Sequence, residues 1–123
     1  MTTVYRVLAI VTTLVIVVQF FLAGLGAFHD VRTGETNRFG AHETVGYVIA
    51  GLSIVLLVAA LLARLGGRAV GMVAFLFVLA GPVQVLLAKA GTDHSEVFGA
   101  LHGLVGALIL GFSGTLIRLG RRT

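Results

Sequence analysis

Residues 41–63 read AHETVGYVIAGLSIVLLVAALLA, and beyond Glu43 this stretch carries no charged side chain until Arg64. About 20 apolar residues at 1.5 Å each cross the hydrocarbon core of a bilayer as a helix, because only a helix satisfies its own backbone where water is absent. Runs of the same kind cover residues 7–28, 69–88 and 97–117. The reading is an all-α, integral membrane four-helix bundle, one domain over residues 1–123, with helices near 7–28, 41–63, 69–88 and 97–117. Composition agrees. Hydrophobic residues make up 58% of the chain and charged ones 11%, with a mean hydropathy of +1.06, against about 25% charged in a typical soluble domain. The first run is too long for the apolar part of a cleaved leader, and only Arg6 precedes it, so it is expected to stay.

The charges divide by loop. Arg6, Arg64, Arg68, Arg118, Arg121 and Arg122 fall on the side of the termini, without an acid among them. Asp30, Glu35, Glu43, Asp93 and Glu96 fall on the other, with Arg32, Arg38 and Lys89. The basic side is cytoplasmic by the positive-inside rule, so both termini of this multi-pass cell-membrane protein are expected in the cytoplasm. The net charge of +4 then reflects topology and attraction to the lipid bilayer, not nucleic acid. No cysteine is present, which excludes disulfides, thiolate metal sites and a catalytic thiol.

An internal repeat organises the chain. His42, Val45, Gly46, Ile49, Gly51 and Ser53 recur sixty residues later as His102, Val105, Gly106, Ile109, Gly111 and Ser113. The odd-numbered helices match at an offset of sixty-five, where Gln19, Ala23, Gly26 and His29 meet Gln84, Ala88, Gly91 and His94. The expectation is a tandem repeat of a helical hairpin. Two such hairpins run in the same direction and form a bundle with a twofold axis along the membrane normal. The second and fourth helices are then parallel and diagonal, with His42 and His102 facing each other at one depth.

A histidine within a membrane segment points to function, and neutral imidazoles from two sides suit heme iron. His42 and His102 are therefore the expected axial ligands of a heme b. Gly46, Gly99 and Gly106, on the ligand helices, are expected to leave gaps for the flat ring, although glycine also serves helix packing. Arg38, with Arg32 and Lys89, stands at the outer boundary where propionates would lie. His29 and His94, at loop ends, are weaker metal candidates. Gln19 and Gln84 are expected to hydrogen-bond across the bundle. Phe20, Phe21, Phe28, Phe39 and Phe98 are read as core or lipid-facing residues, some of them lining the ring.

The segments from Gln19 to Gly46 and from Gln84 to Gly106 resemble the four-helix half-domains of heme A synthase. Each half of that family has a glutamine-bearing odd helix, an outer loop, and a histidine near the outer end of the next helix. The resemblance implies a heme between His42 and His102. The family's catalytic half has Glu three residues before its first histidine and Arg directly after it, where this chain has Phe39 and Glu43, and the outer-loop cysteine pair of many members is missing. A homodimer would rebuild the family's two-half arrangement.

Three function classes follow: a membrane b-type cytochrome that carries electrons or holds heme; a copper or zinc protein using His29, His42, His94 and His102 with Asp93, Glu43 or Glu96; and a non-catalytic accessory subunit of a larger membrane complex. No nucleotide-binding loop, acid pair or nucleophile–base arrangement marks an enzyme.

Overall fold

The structure is a computed structural model describing residues 1–33 (backbone alone from residue 29) and 39–120. Four helices, α1 (Thr2–Thr33), α2 (Gly40–Leu62), α3 (Gly67–Asp93) and α4 (Glu96–Leu119), form the bundle, and each has a span long and apolar enough to cross a membrane. Large apolar side chains stay exposed along the outside, Phe21, Phe28, Leu62, Leu86 and Leu108 among them. The hydroxyls on these helices turn back on their own backbone. Thr12 donates to the Leu8 carbonyl, Ser53 to Ile49 and Ser113 to Leu110, all at 2.8 Å. That local bonding lets a polar side chain sit in an apolar helix without a distant partner.

Two helices are longer than their apolar runs. The backbone of α1 continues to Thr33, and α3 passes through Lys89, Thr92 and Asp93 before a turn at His94 and Ser95. Polarity ends an apolar run without ending a helix. Ser95 stops this one by capping the next, its hydroxyl accepting from the Val97 N–H at 3.3 Å. The α2–α3 turn is a Schellman closure. The Leu65 N–H bonds the Ala60 carbonyl and the Arg64 N–H bonds Leu61, with Arg64 at φ 52° in the left-handed position that usually falls to glycine.

Neighbours pack around a square. α1 lies against α2 and α4, and α3 against α2 and α4, while among the described residues the diagonal pairs make no close backbone approach. The inward positions follow one pattern in all four helices, with spacings of four, three and four residues: Tyr5, Ala9, Thr12, Ile16; Ile49, Ser53, Leu56, Ala60; Ala69, Val73, Leu76, Ala80; and Ile109, Ser113, Leu116, Gly120. This is the seam of an antiparallel bundle. It closes tightly at the termini, where the Tyr5 hydroxyl donates to the Leu116 carbonyl at 3.2 Å. A Cβ on Gly120 would run into Arg6 and Tyr5.

One irregularity sets the register. α3 contains a π-helical turn at Leu79–Val83, around Pro82. Before it, the inward residues of α3 follow those of α1 by sixty-four positions (Thr12 to Leu76); after it, by sixty-five (Gln19 to Gln84). A π turn holds one more residue than the α turn it replaces. It absorbs the extra residue of α3 and turns Gln84 to the same inward position as Gln19.

Candidate functional site

The four-three spacing does not stop where burial stops. It continues along α2 through Gly46 to His42, along α4 through Gly106 to His102, along α1 to Gln19 and Ala23, and past the π turn to Gln84 and Ala88. At the termini end the inward positions hold Tyr5, Leu56, Val73, Leu76 and Leu116, which fill the centre among smaller alanine, serine and threonine side chains. At the other end they are glycine, alanine, histidine and glutamine, and the volume that large side chains would fill becomes a cavity of about 770 Å³. Sites for sizeable small molecules run from about 300 to 1,000 Å³. Ile16, Ile49, Ala80 and Ile109, one from each helix, make its floor.

His42 and His102 meet across the diagonal inside this cavity, with ring centres 5.9 Å apart and planes inclined by 66°. Each is held by the helix before it in sequence. The His42 Nδ1 lies 3.1 Å from the Gln19 carbonyl oxygen, and the His102 Nδ1 lies 3.1 Å from the Gln84 carbonyl oxygen. In return the Gln19 Nε2 donates to the His42 carbonyl at 2.8 Å, and the Gln84 Nε2 donates to the His102 carbonyl at 3.2 Å. A carbonyl oxygen only accepts, so in each ring Nδ1 carries the proton. The neutral ring then keeps its lone pair on Nε2. An N–H···O=C bond from the distal ring nitrogen is the usual support of a metal-ligating histidine.

The donor set and the spacing fit a metal held from two sides. A metal–imidazole bond is about 2 Å long, so two imidazoles sharing one ion hold their ring centres about 6 Å apart. Among the described residues, no three His, Asp or Glu side chains come together as a closed zinc or copper cage. His94 ends α3, exposed and away from the cavity. The side chains of His29 and Arg32, and all of Arg38, lie outside the described residues, so the first of the weaker metal candidates and the expected Arg38 contact have no place in this geometry. Lys89 and Glu43 line the cavity.

The glycines at this end divide into three kinds. A Cβ on Gly46 would stand 3.2 Å from the Gln19 Nε2, and one on Gly106 would stand 3.2 Å from the Gln84 Nε2 and 3.4 Å from Phe20. Both line the cavity, but the space beside them is taken by the glutamine amides. Gly99 and Gly103 also line it, and a Cβ on either would meet nothing within 4 Å. Gly91 has a third role: its Cβ would lie 2.8 Å from the Gly99 nitrogen, so α3 and α4 approach closely at this end.

With the geometry described, comparison with known proteins adds a family. Residues 19–92 match DUF6220, a family of unknown function. The chain belongs to this family. The match begins at Gln19 and takes in His42 and Gln84, three of the four residues of the histidine–glutamine brackets; His102 lies beyond it. No curated protein and no solved structure matches the chain.

The expected pairing of His42 with His102 is present. Gln19 and Gln84 were expected to bond across the bundle and some of the phenylalanines to line the ring, and Phe20 and Phe39 do line the cavity. The reciprocal form of the brackets, the glutamine seats at Gly46 and Gly106, and the lining by Tyr47 were not read from the chain. The signal for the brackets was available in the seam, since continuing its spacing from Ile16 leads to Gln19 and from Ile49 leads to His42.

Proposed function

We propose that this DUF6220 protein spans the cell membrane four times with both termini in the cytoplasm, and holds a b-type heme between His42 and His102 for electron transfer or heme storage. One observation carries the reading: two imidazoles, each with Nδ1–H anchored on a carbonyl, stand 5.9 Å apart in a cavity of about 770 Å³. The recurrence of the same two hydrogen bonds in both halves supports descent from a duplicated hairpin, with the cavity on the axis between the copies.

A heme bound here supplies a one-electron couple. The protein's own groups prepare for it. Gln19 and Gln84 fix the histidine tautomers through their carbonyls and orient the rings. Each amide N–H also holds the histidine backbone, so the ligands are positioned before any metal arrives. The isoleucine floor keeps water from entering along the seam. Lys89 offers a cation for the carboxylates of the ring. Arg38 and Arg32 were expected to share that task. The resemblance to heme A synthase half-domains agrees with this pocket, but Phe39 and Glu43 stand where the catalytic half of that family has its Glu and Arg, so holding heme is the function proposed and heme A synthesis is not.

The test is the absorption spectrum of protein purified from heme-replete membranes. A low-spin Soret band with sharp bands on reduction is expected at one heme per chain. A colourless protein, with or without copper or zinc, contradicts the proposal. A reporter active only in the cytoplasm, fused at the C-terminus, is expected to work; activity of a periplasm-type reporter there contradicts the orientation.

A further inference from the structure

The two histidines occupy equivalent positions and are not held equally. Gln19 donates to the His42 carbonyl at 2.8 Å, whereas the matching bond from Gln84 to His102 is 3.2 Å. Gln19 belongs to an unbroken α-helix; Gln84 directly follows the π turn around Pro82. The Nδ1 anchors match at 3.1 Å, so the two brackets differ in the glutamine amide bond and in the irregular turn before Gln84.

The walls differ in the same sense. Phe39, just ahead of α2, and Glu43 and Tyr47 on it line the cavity at successive turns, and the Phe39 ring packs edge-on against His42 with centres 6.0 Å apart. Sixty residues later those positions are Gly99, Gly103 and Ala107. Gly99 and Gly103 have open space beside them, and nothing equivalent to Phe39 touches His102. The α2 side of the cavity is braced, and the α4 side is bare.

We propose that His102 is the exchangeable ligand of the centre, and that the space beside Gly99 and Gly103 admits a small neutral ligand, of the size of carbon monoxide or imidazole, to the metal in its place. This rests on the heme reading above. In the exchange the bond from iron to the His102 Nε2 breaks and its electron pair stays on the imidazole. The incoming ligand donates its own lone pair to the vacated position. Neither the metal nor the ligand is oxidised or reduced, and the Nδ1 proton remains on His102. Steric access and hydrogen bonding beside the iron decide whether such a centre binds small ligands or only carries electrons.

Three proteins test it: the wild type, His42→Ala and His102→Ala, each purified with heme, reduced and exposed to carbon monoxide. His102→Ala is expected to keep its heme, five-coordinate and high-spin, and to bind carbon monoxide without delay. His42→Ala is expected to lose most of its heme, and the wild type to bind carbon monoxide slowly as His102 leaves. A further variant, Gly99→Phe, rebuilds on α4 the brace that Phe39 forms on α2. It should slow carbon monoxide binding to the heme it retains by about tenfold, the rate effect of roughly one hydrogen bond's worth of added barrier. Equal heme loss in the two histidine variants, or an unchanged rate in Gly99→Phe, overturns the proposal and leaves the heme reading standing. A wild type that takes up no heme overturns both.

Discussion

The two ends of this bundle are built on one seam and come out as opposites. Near the termini the inward positions hold Tyr5, Leu56, Val73, Leu76 and Leu116, all essentially inaccessible. Beyond the layer of Ile16, Ile49, Ala80 and Ile109, the same spacing delivers Gln19, His42, Gly46, Gln84, His102 and Gly106. Towards this end the inward side chains shrink or turn polar. A change of residue type along the inward rows accompanies the passage from packed core to cavity. The histidines and the glutamine amide nitrogens in the hollow end are tied down by bonds between α1 and α2 and between α3 and α4, while the Oε1 atoms of Gln19 and Gln84 are buried without a partner.

The largest effect is expected from breaking the closed end. Leu56→Ala removes a fully buried side chain and should cost about 2–5 kcal/mol, read as unfolding in detergent. Val85→Ala, at a half-exposed cavity wall, should cost less than about 1 kcal/mol. Equal losses would mean that the two ends are packed alike.

A smaller loss is expected where the seam changes character. Gly106→Leu pushes into the Gln84 amide and Phe20. It should cost about 1–3 kcal/mol by overpacking and remove heme together with the Gln84–His102 bracket. Gly111→Leu points into open space on an exposed face and should leave both stability and heme content unchanged. If the two variants lose heme equally, Gly106 has no special place in the site.

The π turn gives a sharper probe with little energetic cost. Deleting Pro82 removes the extra residue and should leave α3 a continuous helix, with Gln84 still opposite His102 and melting within a few degrees of the wild type. Deleting Leu76, within regular helix, rotates the two parts of α3 against each other and should abolish heme binding. If both deletions behave alike, the register account is wrong. The smallest effect is at the α2–α3 turn. Arg64→Gly relieves a left-handed residue and should stabilise by about 1 kcal/mol, without changing the cavity.

Much of this was legible in the chain. Four apolar runs at bilayer length announced four helices, and the sixty-residue repeat put His42 and His102 on the diagonal at one depth. The helix ends were less legible, because Lys89, Thr92 and Asp93 are polar yet compatible with a helix, and α3 runs through them. The π turn was hidden because Pro82 sits in an unbroken apolar run, where hydropathy says nothing about local hydrogen bonding. The inward faces were hidden for a related reason. A helix suited to lipid is apolar all round, so its buried side cannot be found by contrast with a wet one. The glutamine seats at Gly46 and Gly106 depend on how two helices meet, and a glycine that admits a ring reads the same as one that admits an amide.

The account rests on one claim, that His42 and His102 share a heme iron. Electron paramagnetic resonance of the oxidised, purified protein tests it most directly, since the spectrum reports spin state and axial ligands together. The account predicts a low-spin ferric signal of the bis-imidazole type at about one spin per chain, absent from the His42→Ala/His102→Ala double variant. A high-spin signal alone, or a low-spin signal that survives in the double variant, would contradict it.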